Sequence, residues 1–184
     1  MYNSNTFDNN QKIKIMKKIN LILALVTILL LNSCKKDNNS SGGASSLSAG
    51  KSRVSLTAAG ATSGSFNSND LISTIAKSGG GINLAASYVN TSTFETEIVM
   101  MLLPSDISAG SYNFKTMSSS AALPTFAYTK GATGWAASPS ESEFTIVVTT
   151  ATSEIIEGTF SGTLHNDTDG TDVTITNGKF AGKY

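Results

Sequence analysis

The feature that most constrains the fold is an alternation of apolar and polar residues that runs from Lys51 to the end of the chain. It is clearest in residues 156–164, where Ile156, Phe160 and Leu164 alternate with polar positions. A period of two residues places successive side chains on opposite faces of a β-strand. Short stretches rich in Gly, Ser, Asn and Asp separate these segments. The pattern therefore predicts one all-β domain, an antiparallel β-sandwich or a barrel-like domain of about nine or ten strands.

The last strands carry large apolar side chains on one face, and we predict that they belong to the core. Those side chains are Phe160, Val173, Ile175 and Phe180. Between them, Asn177-Gly178 is a strong signal for a two-residue hairpin turn.

A different composition precedes the alternating segments. The mostly apolar run Leu21–Leu31 is eleven residues long and follows Lys17-Lys18. A membrane-spanning helix needs about 20 such residues, so the run predicts the apolar part of a signal peptide and not a permanent span. Polar residues 1–15 stand before Met16. Either translation starts at Met16 or these residues extend the polar start of the signal peptide.

The chain has one cysteine, at the junction Leu31-Asn32-Ser33-Cys34. This junction resembles the signal of bacterial lipoproteins, which implies cleavage before Cys34, lipid on its sulfur and an acyl chain such as palmitate on the freed amine. Two or more acyl chains anchor a protein stably to a membrane. A buried free cysteine is the alternative, and the polar context of Cys34 argues against it. The predicted parts are a signal peptide at 1–33, the lipidated cysteine with a flexible linker at 34–50, and the β domain at 51–184.

Two segments near the end carry a further resemblance. Gly158-Thr159-Phe160 and Asn177-Gly178-Lys179-Phe180 resemble the closing hairpins of an uncharacterised family of Bacteroidota lipoproteins, and Ile107–Tyr112 is similar to that family's Gly-Thr-Tyr turn, with Ser111 in place of threonine. The resemblance implies an all-β lipoprotein of the outer membrane. It supplies no site, and it leaves undecided whether the domain lies on the periplasmic or the extracellular face.

Net charge limits the partners. The whole chain is formally neutral, and loss of residues 1–33 removes four lysines and one aspartate, which leaves a charge of −3. A mildly acidic product without a basic run argues against nucleic acid. Lys35-Lys36 gives a weak signal for anionic lipid.

Candidate catalytic and metal-binding residues each have a structural interpretation. The only histidine, His165, is about 13 Å along an extended strand from Ser161, too far for a nucleophile–base pair. The pairs Glu95/Glu97 and Glu141/Glu143 are predicted to lie on solvated strand faces. Calcium prefers six to eight oxygen ligands, and an acidic hairpin turn explains the same carboxylates, Asp167, Asp169 and Asp172, without a metal. We therefore expect no enzymatic activity and no cofactor.

The one candidate ligand-binding residue is Trp135, in a predicted loop over residues 130–140. An exposed indole there would stack on a sugar ring, whereas a buried one would close an end of the core. We expect a structural or binding module of the bacterial envelope, with the lipid bilayer and either a glycan or an envelope protein as partners. The alternatives are a lipocalin-like carrier of a small apolar ligand and a surface glycan-binding protein.

Overall fold

The computed structural model describes residues 43–68, 73–116, 124–138 and 142–184, which belong to one compact unit, Asp37–Tyr184. These residues contain eleven antiparallel strands and two 3₁₀ turns, Ala44–Ser46 and Phe114–Thr116. The strands are β1 (Lys51–Gly60), β2 (Gly64–Asn67), β3 (Ser73–Ser78), β4 (Gly81–Val89), β5 (Thr96–Leu103), β6 (Gly110–Asn113), β7 (Thr125–Lys130), β8 (Thr133–Ala137), β9 (Phe144–Ala151), β10 (Ile155–His165) and β11 (Asp172–Lys183). The all-β prediction is confirmed, with more strands than the nine or ten expected.

Eight strands form a closed barrel in the order β1-β3-β4-β5-β7-β8-β10-β11, and β11 pairs with β1 to complete the ring. The other three lie outside it: β2 pairs with β1, β9 with β10, and β6 with β9. Two corners of the ring have one paired position each among the described residues, Lys51 with Thr74 and Ala136 with His165. Of the two predicted architectures, the barrel is the one found.

Serine side chains strengthen the corner between β1 and β3. The Ser52 hydroxyl donates to the Thr74 carbonyl at 3.1 Å, and the Ser68 hydroxyl accepts the Val54 N–H at 2.6 Å. The Ser73 hydroxyl donates to the Ser52 carbonyl. Side chains therefore satisfy buried backbone groups where the ladder is short.

The barrel has two distinct ends. At the first, called here the entry end, the Gly50 N–H donates to the Lys183 carbonyl at 2.7 Å and the Tyr184 N–H donates to the Glu154 carbonyl at 2.8 Å. At the second, the loop end, the Gly131 N–H donates to the Thr96 carbonyl at 2.8 Å and the Ala61 N–H to the Asp172 carbonyl at 3.0 Å. The loop end gathers the connections 61–63, 90–95, 131–132 and 166–171.

The inward side chains form one continuous core in which phenylalanine rings meet in a row. The ring centroid of Phe126 lies 4.7 Å from the centroids of both Phe144 and Phe160. The ring centroids of Phe160 and Phe180 lie 6.4 Å apart. The predicted core side chains of the last strands are all buried: Phe160, Val173, Ile175 and Phe180. That part of the core prediction is confirmed.

The predicted hairpin turn at Asn177-Gly178 is wrong, because both residues lie inside β11. Asn177 has a φ of +54°, and the pairing of β11 shifts register there against both neighbours, between Ser55 and Thr57 on β1 and between Phe160 and Gly162 on β10. An extra residue in one strand with a left-handed φ is a β-bulge. The dipeptide that favours a left-handed turn here bends a continuous strand instead.

Residues 43–50, which belong to the predicted linker, lie against the barrel. Ala44 is fully buried, and its N–H donates to the Glu157 carboxylate. The Ile75 N–H donates to the Gly50 carbonyl at 3.1 Å. The rest of the predicted linker and the predicted signal peptide, residues 1–42, lie outside the described residues.

Candidate functional site

A groove of about 450 Å³ lies on the outer surface of the barrel, over β1, β11, β10 and β9. This volume falls within the range of small-molecule sites. Its lining combines cations, one carboxylate and hydroxyl groups, chiefly Arg53, Ser55, Thr149, Glu157, Thr159 and Lys179. The groove is thus open to solvent and carries charged and hydroxyl groups on a partly apolar lining that includes Phe180 and Ala181.

Four cations share the outer face of β1 and β11, called here the basic face: Lys51, Arg53, Lys179 and Lys183. Their strand neighbours Ser52, Val54 and Phe180 are buried in the barrel, which turns all four side chains outward. The register sets Lys51 directly opposite Lys183, and Ser55 opposite Lys179. The arrangement suits an anionic group, since guanidinium and ammonium groups bind phosphate and carboxylate strongly.

One carboxylate lies within this surface. Glu157 on β10 accepts the Ala44 N–H of the first 3₁₀ turn, and the carbonyl of the same residue accepts the Thr149 hydroxyl at 3.2 Å. Gly43 also lines the groove. The N-terminal segment therefore reaches the barrel at the edge of the groove.

The prediction that Glu95 and Glu97 lie on a solvated strand face is wrong for Glu97. This residue lies at the loop end, faces into the barrel and is only 9% exposed. The Tyr128 hydroxyl donates to its carboxylate at 2.8 Å, and the Lys130 ammonium lies 3.4 Å from it. Burial, followed by the hydrogen bond to Glu97, raises the pKa of Tyr128 well above its usual range. Apolar residues occupy both faces of β5, so alternation alone did not show which face turns inward.

Trp135 lies on β8 and not in a loop, and it is 4% exposed. Its ring stacks on Tyr128 with centroids 6.1 Å apart, and its indole N–H donates to the Thr171 hydroxyl at 3.0 Å. The side chain fills the loop end of the core, as the second interpretation of the sequence expected. It offers no exposed face for a sugar ring.

The three calcium candidates contact side chains at and beside the turn, Asp169 with Thr171 and both Asp167 and Asp172 with His165. The Asp169 carboxylate accepts the Thr171 N–H at 3.0 Å and its hydroxyl at 2.6 Å, and the hydroxyl contact lowers the pKa of Asp169. Asp172 lies 2.6 Å from His165, while Asp167 is 4.0 Å from the other ring nitrogen. Within the part of the chain that the structure describes, no group of three or more His, Cys, Asp and Glu side chains could hold a metal ion.

We expect Asp172→Asn to lower the pKa of His165 toward its ordinary value of about 6.5, because the hydrogen bond with Asp172 is the main cause of its raised pKa. A raised folded-state pKa means that this pair stabilises the fold fully below the unfolded pKa. The stabilisation is then lost as pH rises through the folded pKa. An NMR titration of His165, the only histidine, measures the shift. Asp106→Asn, on another loop, is the control, and an unchanged His165 pKa in Asp172→Asn would contradict the assignment.

Of the other residues singled out from the sequence, two lie near lysines at the surface and two lie outside the described residues. Glu143 forms an exposed ion pair with Lys115, and Glu95 lies 3.9 Å from Lys130. Glu141 and Cys34 lie outside the described residues.

The basic face was not predicted from the sequence, although the sequence contains a signal for it. Lys51 and Arg53 are two residues apart, and Lys179 and Lys183 fall on the same face of one strand. Only the pairing of the first strand with the last brings the two sets together, and local alternation does not specify that pairing.

Comparison with protein-family models, with curated proteins and with solved structures finds no match. Among the described residues, no helix has the length and apolar character needed to cross a membrane.

Proposed function

We propose that the protein is a lipoprotein of the bacterial outer membrane, anchored through Cys34, and that its barrel serves as a structural or binding module of the envelope. The observation that carries the proposal is the junction at Cys34, where an eleven-residue apolar run ends at the only cysteine and a polar tract follows. Two acyl chains on that residue are sufficient for stable anchoring.

The geometry of the barrel is compatible with this role. The residues that precede β1 join the barrel at the entry end, where the Gly50 N–H donates a hydrogen bond to the Lys183 carbonyl. The loop end lies at the opposite ends of the same strands. The entry end is therefore the end that lies nearer in sequence to Cys34, and the loop end carries four connections of the kind that commonly bind partners on a rigid scaffold.

We expect Cys34→Ser to abolish incorporation of labelled palmitate, because a hydroxyl cannot replace the thiol that receives the lipid. Metabolic labelling in the bacterium, followed by isolation of the protein, measures this. Ser33→Ala is a matched control that changes a neighbouring residue and keeps the thiol, and it should retain the label. Label retained in Cys34→Ser would contradict the anchor.

A lipocalin-like carrier is the second candidate, and the closed eight-stranded ring is the observation that favours it. Phe126, Phe160 and Phe180 on ring strands are buried, with the ring centroid of Phe160 4.7 Å from that of Phe126 and 6.4 Å from that of Phe180. These large inward rings take up space that a carried ligand would need, and they favour the module over the carrier.

A further inference from the structure

We propose that the hairpin between β4 and β5 docks into the outer groove of a second copy of this chain, with Phe94 as the anchor. The end of this hairpin, residues 88–95, is called here the β4–β5 tip. The groove thereby receives an aromatic side chain followed directly by a carboxylate, Phe94 and Glu95. The contact is between two barrels, so it does not depend on the proposed anchoring at Cys34.

Exposed apolar side chains are concentrated at the β4–β5 tip. In the part of the chain that the structure describes, four large apolar side chains are exposed, and three of them belong to the tip: Tyr88, Val89 and Phe94. Phe94 is 81% exposed, the largest fraction of the four. Aromatic residues are enriched among the anchors of protein–protein contacts. The tip therefore has the composition of a contact surface.

The backbone of the tip holds Phe94 in a conformation that a bulky residue rarely adopts. Its φ of +56° lies in the left-handed region, where glycine is more stable. The Phe94 N–H donates to the Asn90 carbonyl at 2.7 Å, and the Asn90 N–H donates to the Glu95 carbonyl at 2.8 Å. The Asn90 side chain accepts the Ser92 N–H at 2.9 Å. Folding does not account for an exposed aromatic ring at a strained position, and its fixed presentation lowers the entropy cost of docking.

The tip cannot reach the groove of its own chain. The groove lies over β1, β11, β10 and β9, whereas β5 lies opposite β11 in the ring, with three strands between them on either side. A contact between tip and groove therefore joins two copies. Each copy presents one tip and one groove, which makes the contact head-to-tail.

The groove matches Phe94 in size and in chemistry. A cavity of about 150 Å³ is enough to hold a benzene ring, and the groove has a volume of about 450 Å³. Besides charged and hydroxyl groups, its lining includes the apolar residues Phe180 and Ala181. Apolar surface with a few polar groups is the usual lining of a site that binds an anchor side chain.

The tip supplies a carboxylate beside the anchor. Glu95 follows Phe94 directly, and its side chain is 43% exposed. The Lys130 ammonium lies 3.9 Å from Glu95 and closer, at 3.4 Å, to Glu97. Glu95 therefore keeps an open side from which a cation of another copy can approach.

The groove supplies the matching cation. Lys179 lines it, is exposed and forms no ion pair with any residue in the described ranges. The carboxylate among the lining residues, Glu157, already accepts the Ala44 N–H. A copy whose Phe94 enters the groove thus brings its Glu95 toward Lys179, and complementary charge of this kind fixes the register of a contact.

Pull-down between variants of the full chain carrying Cys34→Ser tests the contact, because each copy contributes only one half of it. Phe94→Ala removes the anchor. Ala181→Trp fills the groove from an outward position of β11, between buried Phe180 and Gly182. Tagged and untagged forms are mixed pairwise in a mild detergent, which covers the apolar run Leu21–Leu31 in every variant alike.

Neither variant should retain an untagged copy of itself. Loss of a buried aromatic anchor weakens binding by at least about 30-fold, so both self-pairs should bind that much more weakly than the parent. By contrast, Phe94→Ala should retain Ala181→Trp with close to the parent's affinity, since that pair contains one intact tip and one intact groove.

Two matched controls change the same surfaces without touching the contact. Thr91→Ala lies in the same loop as Phe94, and Ala85→Trp makes the groove-filling change at an outward position of β4. Each should retain copies of itself as the parent does. Circular dichroism confirms that every variant is folded. Lys179→Glu, which sets a carboxylate against Glu95, is a second groove variant with the same expected loss.

Three results would overturn the inference. Self-pairs of Ala181→Trp and of Lys179→Glu that bind like the parent would show that the tip meets a surface other than the groove. No retention in the pair of Phe94→Ala with Ala181→Trp, or in the parent itself, would show that tip and groove do not bind each other. Phe94-dependent binding to phosphatidylcholine vesicles without retention in that pair would assign the tip to a lipid surface instead.

Discussion

Phe160→Ala is expected to destabilise the barrel by about 3–5 kcal/mol, the largest effect of any single substitution considered. Phe160 is 2% exposed, and its ring lies among those of Phe126, Phe144 and Phe180. Truncation removes contacts with all three rings and leaves a cavity that strands fixed in a closed ring have little freedom to fill. Urea unfolding followed by circular dichroism measures the change in free energy of unfolding.

Phe94→Ala is the matched control, since it makes the same chemical change at a side chain that is 81% exposed. We expect its free energy of unfolding to change by less than about 0.5 kcal/mol. A loss below about 1 kcal/mol in Phe160→Ala would mean that the inward face of β10 is assigned wrongly. The same variant bears on the carrier hypothesis, because a barrel that already held an open cavity would lose less.

Gly158→Ala is expected to cost about 3 kcal/mol, at the upper end of the range for overpacked cores. A methyl group at Gly158 would lie inside contact distance of the Val147 carbonyl oxygen and 2.6 Å from the Phe180 ring. The backbone oxygen belongs to the β9–β10 ladder and cannot move without loss of pairing. Glycine at this position thus allows β9, β10 and the Phe180 ring to approach closely.

The control for this prediction is Gly79→Ala in the turn between β3 and β4, where a methyl group meets nothing within 4 Å. Its stability should stay within about 0.5 kcal/mol of the parent. Thermal and denaturant unfolding of the two variants side by side give the comparison. Equal stability of the two variants would show that β9 and β10 are not packed as closely as the structure has them.

The alternation in β10 was sufficient to predict the inward face of the closing strands, because Ile156, Phe160 and Leu164 differ clearly from their polar neighbours. It was insufficient for β5, where Ile98, Met100 and Leu102 make the outward face as apolar as the inward one. The burial of Glu97 in this strand depends on a hydrogen bond from Tyr128 and an ion pair with Lys130. Both partners lie on β7, about thirty residues away in sequence.

Two other predictions from the sequence were wrong for the same reason, because pairing with distant strands decided the local structure. Asn177-Gly178 has the composition of a hairpin turn, yet β1 and β10 pair along both edges of β11 and hold it as one strand with a bulge. Trp135 stands among small residues that favour a loop, yet pairing of β8 with β7 sets its ring against Tyr128. Closure of the barrel, which no local pattern encodes, also brings the two halves of the basic face together.

The most direct test of the central claim is the mass of the N-terminal peptide of the protein extracted from the membranes of its own bacterium. An anchored lipoprotein predicts a peptide that begins at Cys34 and carries the added mass of a diacylglyceryl group and an N-acyl chain. A peptide that begins upstream of Cys34, or an unmodified Cys34 in the membrane fraction, would contradict the claim.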